Sequence, residues 1–421
     1  MRTPSSLSEM HDPAHIDVAI SGARPKAIAA LMRYFRDLDT AEEAFQEACL
    51  RALQTWPHKG PPQNPTAWLI TVGRNAAVDA RRRMRSIGPL PEADALADDR
   101  DELAAERLDE SHYKDDILRL LFVCGHPSLP ATQQVALALR IVSGLTVEQI
   151  ARAFLVSPAA MEQRITRAKR AIAEIGVEFD TPSAAERQAR LTAVSTMIYL
   201  LFNEGYGSTP DTAAAREPLA AEAIRLGRLL LSLFPADPEV FGLLALMLFQ
   251  QSRAPARFDA NGEIVLLEEQ DRSRWNRTLI DEGRLLLERA AIYQSPGPHQ
   301  LQAAISALHA RATRIEDTQW KEIDSLYRLL ESLQPSPVVT LNRAVAVWKL
   351  QGAEAALKMI DPLKGELDAY FYMHGLRGAL LKDLDRPDEA REALHRAIAL
   401  ANSIAEAKLI RRELDSLESM S

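Results

Sequence analysis

The side chains best suited to bind another molecule in this sequence are clustered cationic groups. One cluster lies in residues 144–170, GLTVEQIARAFLVSPAAMEQRITRAKR, and contains Arg164, Arg167, Lys169 and Arg170 with Glu162 as the accompanying acid. Guanidinium and ammonium groups neutralise phosphates, and arginine also reads the edges of bases. The cluster therefore predicts a nucleic-acid-binding element, with an ordinary solvated basic face as the alternative.

The same segment contains the start signals of two short helices. Thr146 and Ser157 are favoured N-cap residues, and Pro158 suits the first helical position, where no N–H is needed. Ile165 and Ala168, with Ile172 one turn later, form an apolar stripe on the second helix. The predicted structure is a helix-turn-helix with a basic second helix.

A second cluster of guanidinium groups lies toward the end of residues 65–85, PTAWLITVGRNAAVDARRRMR. The acid among these residues is Asp79, and the arginines are Arg74, Arg81, Arg82, Arg83 and Arg85. Arginine binds phosphates and stacks on unpaired bases, so this predicted helix could support a nucleic-acid strand. A helical bundle with alternating charged faces is the alternative.

Residues 38–53, LDTAEEAFQEACLRAL, have the opposite charge. Their acids are Asp39, Glu42, Glu43 and Glu47, and an apolar face includes Phe45. An acidic amphipathic helix repels DNA, so it predicts a protein partner instead.

The order of these three segments resembles a known family. A DxAEEAxQE pattern from Asp39, a PxAWLxxVGRNAAVDxRRR pattern from Pro65 and the helix-turn-helix are together similar to the extracytoplasmic-function class of bacterial RNA polymerase sigma factors, over residues 25–176. The resemblance implies an all-α fold. It divides this part of the chain into an N-terminal tail at 1–24, a region 2 bundle at 25–86, an acidic linker at 87–112 and a region 4 helix-turn-helix at 113–178.

The resemblance also implies a role for each segment. Region 2 would bind core polymerase through Asp39, Glu42 and Gln46. It would bind and help to open the −10 promoter element through Trp68, Arg74, Asn75, Asp79, Arg82 and Arg83. Region 4 would read the −35 element through Ser157, Ala160, Gln163, Arg164, Arg167, Lys169 and Arg170.

Two details remain open in this resemblance. The loop at residues 58–64, HKGPPQN, is short and Pro-rich, so the base read at −10 is not predicted. The acidic linker could mimic nucleic acid in the RNA exit path, or it could be a solvated tether.

Length and composition limit the class of protein. A chain of 421 residues suggests two or three domains, and a net charge of −8 means that DNA binding must depend on local patches. The two cysteines, Cys49 and Cys124, exclude a disulfide framework. The first residues lack a signal-peptide core, and no apolar run reaches the ~20 residues of a spanning helix. We expect a soluble cytoplasmic protein with no membrane contact.

Residues 183–421 extend beyond a minimal sigma factor and contain a repeat. An offset of 34 residues places Gln351-Gly352 over Asp385-Arg386 and Ala344 over Gly378, as in tetratricopeptide helix pairs. Such a stack could bind a protein or peptide in its groove, or it could be purely structural. With residues 199–206 and 341–347, the extension resembles a sigma subgroup with a tetratricopeptide-like C-terminal extension, which implies control of activity from within the chain.

Residues 257–275, RFDANGEIVLLEEQDRSRW, interrupt the helical pattern. Asn261-Gly262 is typical of a type I′ turn, so we expect one short β-hairpin. The charged stretch that follows could be a structural ion-pair network or a regulatory ligand-binding patch of Asp271, Arg272, Arg274 and Trp275.

The sequence contains no recognisable catalytic pattern. A Gly-rich phosphate loop, HExxH and GxSxG are absent, and Cys124 with His126 provides too few ligands for zinc. We expect no catalytic residue, metal or cofactor, and a non-enzymatic sigma factor whose partners are core RNA polymerase and promoter DNA. The alternatives are a conventional helix-turn-helix regulator with a tetratricopeptide sensor domain, and an enzyme or scaffold built on the C-terminal stack.

Overall fold

The computed structural model describes residues 13–85, 110–154, 156–175, 184–207, 210–401 and 403–418. Its regular elements are helices, which confirms the predicted all-α class. The chain forms two compact units, residues 1–201 and 202–421. Most of the predicted linker, residues 87–109, and the predicted boundary at 180–183 lie outside the described residues. Within the described ranges no helix is both long and apolar enough to cross a bilayer.

The first unit is built mainly from seven helices. They are α1 (Pro13–Phe35), α2 (Leu38–Lys59), α3 (Pro65–Arg85), α4 (Glu110–Cys124), α5 (Ala131–Ile141), α6 (Val147–Ala153) and α7 (Pro158–Ile175). The unit also includes most of α8 (Ala184–Tyr206). Helix α1 begins inside the segment 1–24 that the sequence predicts as a tail, and it packs against α2, α3 and α4.

Side-chain caps set where several of these helices begin. Asp37 Oδ2 accepts a 2.8 Å hydrogen bond from Thr40 N, and Asn64 Oδ1 accepts one of 3.0 Å from Ala67 N. Thr146 forms a capping box with Gln149, at 3.2 Å and 2.8 Å. Ser157 Oγ accepts a 3.2 Å bond from Ala160 N. The predicted caps at Thr146 and Ser157 are therefore confirmed.

Helices α2 and α3 cross very closely at one glycine. A Cβ at Gly73 would lie 2.7 Å from the carbonyl oxygen of Ala44, which is too short for any larger residue at this backbone spacing. Phe45, Trp56 and Leu69 are fully buried beside this crossing. The crossing fixes the position of α3 on α2, and both helices contain predicted functional residues.

The helix-turn-helix has the predicted apolar interior. Ile165, Ala168 and Ile172 of α7 are buried, as the stripe indicates, and Met161 is also fully buried. Helices α5 and α6 pack against α7. Ile150 of α6 has no exposed surface.

The second unit continues from the end of α8 as a succession of helices. They are α9 (Pro210–Leu233), α10 (Pro238–Ser252), α11 (Arg277–Ala291), α12 (Pro298–Arg311), α13 (Trp320–Leu333), α14 (Pro337–Gln351), α15 (Ala353–Ile360), α16 (Phe371–Asp383), α17 (Pro387–Leu400) and α18 (Ile404–Glu418). Most consecutive helices pack on each other. Gly352 (φ +90°) and Asp385 (φ +54°), which the 34-residue offset nearly superposes, lie in the two corresponding interhelical turns.

The predicted β-hairpin is wrong. Among the described residues, the segment forms one isolated antiparallel bridge, between Phe258 and Ile264. The turn lies one residue earlier than predicted, because the carbonyl of Asp259 accepts a hydrogen bond from Gly262 N. The Oδ1 of Asp259 also accepts hydrogen bonds from Asn261 N and Glu263 N, at 2.9 Å and 2.8 Å. Gly262 has a positive φ but Asn261 does not, so the turn is not type I′, which requires both. The result is a three-residue loop with too few ladder bonds for a strand pair.

Candidate polymerase and promoter interface

Helix α7 presents most of its predicted DNA-binding residues on an exposed face. Ser157, Ala160, Gln163, Arg167 and Arg170 are exposed, and Arg164 is half-buried. The Nε of Arg167 donates to the carbonyl of Gln163 one turn earlier, at 3.2 Å, which holds the guanidinium along the helix surface. This face combines cations with short polar side chains, the combination that reads a major groove.

Lys169 is separate from the other predicted DNA contacts. Its Nζ lies 2.6 Å from Asp39 Oδ1 and 2.8 Å from Glu42 Oε2, both on α2. Burial lowers the pKa of Lys169, but the hydrogen bonds and charges of the two acids outweigh this and leave the pKa raised. The structure therefore places a predicted −35 contact against two predicted polymerase contacts.

Glu42 is the centre of this contact. It is 4% exposed, and its Oε1 lies 2.8 Å from Arg140 NH2 and 3.9 Å from Arg24 NH2. Gln46, which is exposed, lies 3.5 Å from the same oxygen through its Nε2. A buried carboxylate is tolerated because several cationic groups surround it. Asp39, by contrast, keeps 64% of its side chain exposed.

Arg24 of α1 links region 2 to the end of α5 through hydrogen bonds. Its Nε and NH2 donate to the carbonyls of Ile141 and Arg140, at 3.2 Å and 3.0 Å. These carbonyls have no partner further along the helix, and the negative end of the helix dipole favours a cation there. Gly144 has a φ of +76°, which other residues rarely adopt, and a Cβ on it would lie 2.7 Å from Arg24 Cδ. Both the backbone conformation and the lack of space therefore require a glycine at this turn.

The predicted −10 residues that the structure describes lie along α3. Trp68 is half-buried and packs edge-on against Trp56, with ring centroids 5.3 Å apart. Asn75 lies about two turns after Trp68, on the same side of the helix, and Asp79 is exposed. Arg74 lies over the ring of Tyr34, 5.9 Å from its centroid. The side chains of Arg82 and Arg83 lie outside the described part of the chain.

Three residues at this site are absent from the sequence prediction. Arg24 and Arg140 contact Glu42 from other helices, over long sequence separations that no local pattern reveals. Tyr34 is 56% exposed and lies under Arg74, close to the end of α1. Tyr34 and Arg74 are 40 residues apart in the sequence, so no local pattern reveals this contact either.

The predicted regulatory patch in the second unit divides into buried and exposed halves. Arg272 and Trp275 are buried, whereas Asp271 and Arg274 are exposed. Asp271 Oδ1 caps the turn by accepting from Ser273 N at 2.9 Å. The neighbouring acids do form ion pairs, Glu268 with Lys349 at 2.6 Å and Glu269 with Arg412 at 3.2 Å. The segment is therefore partly the ion-pair network that the sequence suggests as one alternative.

Known families match three parts of the chain. Residues 20–87 match sigma-70 region 2, and residues 120–172 match sigma-70 region 4. Residues 190–291 match a family of unknown function, DUF6596. A protein of Rhizobium meliloti (strain 1021), described as uncharacterized, is 61% identical over 410 residues, which is 97% of each chain.

The chain belongs to the sigma-70 family. It is a sigma factor of the extracytoplasmic-function type with a C-terminal extension, as its sequence motifs predict. Sigma-70 regions 2 and 4 imply that it binds core RNA polymerase and promoter DNA. The sigma factor has both regions within its first compact unit.

Proposed function

We propose that this sigma factor brings core polymerase to promoters by reading the −35 element with α7 and the −10 element with α3. The observation that supports the first part is the division of α7 into two sides. Its exposed face carries Ser157, Gln163 and Arg167, while Met161 and Ala168 on the other side have no exposed surface. A recognition helix requires this division, because one side must be anchored while the other enters the groove.

The acidic surface of α2 is the proposed docking site for core polymerase. Asp39 and Gln46 are exposed, but Glu42 is covered by Lys169 and Arg140 of region 4. Docking through Glu42 therefore requires region 4 to move away from region 2. We propose that the described arrangement is the free form of the protein and that polymerase binding opens it.

Helix α3 is the proposed support for the −10 strand. Trp68 offers an indole anchored on Trp56, and Arg74 with Tyr34 offers a cation beside an exposed ring. Aromatic faces stack on unpaired bases and arginines bind the backbone, which favours the opened strand. Arg82 and Arg83 extend the basic segment toward the end of α3.

We further propose that the extension controls this activity, that its helix stack binds a protein or peptide, and that the protein has no enzymatic role. A sigma factor works where polymerase transcribes, so the proposed location is the cytoplasm.

In vitro transcription with purified core polymerase tests the sigma role and the control by the extension. The template is the region upstream of the protein's own gene, and the full chain is compared with a chain ending at residue 207. A cut near residue 180 would be unsuitable, because it removes α8, whose Val194 is fully buried and lies against Gly125. Core-dependent transcripts support the sigma role, and the difference between the two chains gives the direction of control. A conventional regulator would instead bind DNA without core and yield no transcript.

A further inference from the structure

The second unit contains a group of enclosed nitrogen atoms whose hydrogen-bonding capacity is unused. Arg253 Nε, Arg272 NH2, Trp275 Nε1 and His309 Nδ1 are all shielded from solvent, and none has a hydrogen-bond partner among the described residues. The arginine and tryptophan nitrogens can only donate, so they require an acceptor. An enclosed donor without an acceptor destabilises the folded protein. Several such donors in one place indicate a missing acceptor.

These side chains are neighbours. The guanidinium carbons of Arg253 and Arg272 lie 5.7 Å and 5.3 Å from the centroid of the Trp275 ring. Arg272 NH1 donates to the carbonyls of His309 and Ala312, at 2.7 Å and 2.8 Å. The two arginines therefore share one indole at the end of α12.

The charge of this cluster is not neutralised at close range. Within the described ranges, neither Arg253 nor Arg272 forms an ion pair. The nearest acids that act on Arg272 are Asp317 and Glu316, and both lie within ion-pair distance of Arg314. Burial, followed by the charges of Arg253 and Arg272, lowers the pKa of His309 to about 4, so its ring adds no charge at neutral pH.

We propose that Arg253, Arg272, Trp275 and His309 form a binding site for the oxyanion group of a small ligand, a phosphate or a carboxylate. Such a group accepts hydrogen bonds without donating any, which matches a set of unsatisfied donors. Two guanidiniums supply the compensating charge, and the indole ring holds both in place. The site includes Arg272 and Trp275 of the segment that the sequence suggests as a ligand-binding patch, and adds Arg253 and His309 from other elements. It does not depend on the proposed function.

The full-length protein, labelled with ¹⁵N, permits a direct test. Its five tryptophans give separate indole N–H resonances, and Trp275→Phe identifies that of Trp275. Inorganic phosphate, acetate and chloride are titrated separately at constant ionic strength. Phosphate or acetate should shift the Trp275 resonance saturably and chloride should not; the more effective oxyanion gives the class of ligand. No saturable shift with either oxyanion, or an equal shift with chloride, overturns the proposal.

Matched variants separate binding from general charge effects. Arg253→Gln should weaken oxyanion binding about tenfold or more, because it removes a charged donor. Arg277→Gln makes the same change at an exposed position, the first residue of α11, and should leave the affinity unchanged. Equal effects of the two substitutions would contradict the site.

Two further variants distinguish a loss of binding from misfolding and test whether an acid of the protein is itself the acceptor. Trp275→Phe keeps an aromatic ring and removes the indole N–H donor, so calorimetry with phosphate or acetate should detect weaker binding in a protein that still packs. Asp317→Asn should tighten binding, because this acid competes for Arg272. If Asp317 were itself the missing acceptor in solution, Asp317→Asn would destabilise the protein and leave oxyanion binding absent, which overturns the proposal.

Discussion

Lys169 of α7 donates a hydrogen bond of 2.8 Å to Glu42 of α2, across 127 residues of sequence. The lysine belongs to the helix proposed to read DNA, and the glutamate belongs to the surface proposed to bind polymerase. Because Glu42 is buried in this contact, the described arrangement covers part of the proposed docking surface.

Lys169→Ala should increase the affinity for core polymerase about threefold to tenfold. The substitution removes two charge-assisted hydrogen bonds from the free form, so less free energy is needed to expose Glu42. Fluorescence anisotropy with labelled full-length protein and purified core measures the change. Arg170→Ala is the matched control, because Arg170 lies on the same helix but is exposed. Weaker core binding by Lys169→Ala alone would show that the lysine contacts polymerase itself.

Arg167→Ala should reduce promoter-dependent transcription and leave the affinity for core unchanged. Removing one phosphate contact should also lower the slope of log affinity against log salt by about one unit. Filter binding of the holoenzyme at several salt concentrations measures the slope. Arg411→Ala, at an exposed position of α18, serves as the control. An equal loss of core binding and promoter binding would argue against a DNA contact at Arg167.

Replacing both Arg82 and Arg83 with alanine should impair promoter opening more than the formation of the closed complex. Arginines at the end of α3 are proposed to hold the separated strand, which exists only after opening. Permanganate reactivity of unpaired thymines measures opening, and gel shift at low temperature measures the closed complex. Closed-complex formation reduced as much as opening would instead assign the two arginines to duplex binding.

Gly73→Ala should destabilise the first unit by about 1–3 kcal/mol. A methyl group there would lie 2.7 Å from the Ala44 carbonyl oxygen, so α3 would have to move away from α2. Gly22→Ala is a control with the opposite expectation, since nothing lies within 4 Å of its Cβ position and alanine favours the helix by about 0.5–1 kcal/mol. Urea unfolding of both variants measures the difference. Equal effects would show that the helix crossing adapts without cost.

His309 should make the second unit less stable in mild acid. The pKa of His309 is about 4 in the folded protein and 6.5 in the unfolded chain, so the unfolded chain binds the proton more readily. Stability should therefore fall as the pH decreases from 6.5 to 4, by up to about 3 kcal/mol. His309→Gln should reduce this fall in urea unfolding, whereas the same change at the exposed His395 should not. An unchanged pH dependence in His309→Gln would contradict the buried environment of the ring.

Local patterns predicted the helices and the sigma-70 segments, because caps and apolar periodicity are properties of neighbouring residues. Thr146, Ser157 and Ile165 behave as their types and spacing indicate. Lys169 does not lie with the other cations of its helix, because its partners are on α2 and only the tertiary fold brings them together. The hairpin failed for a local reason, since the side chain of Asp259 competes for the turn's backbone donors.

Glu42 forms ion pairs with side chains from two separate helices of region 4, Arg140 at the end of α5 and Lys169 on α7. A molecule that engages Glu42 therefore releases Lys169, a predicted −35 contact, and DNA that binds Lys169 releases Glu42. Thermodynamic linkage makes this relation reciprocal, so each ligand must raise the affinity for the other by the same factor. For a sigma factor, polymerase and promoter DNA would bind cooperatively without touching one another, through competition with a single buried carboxylate.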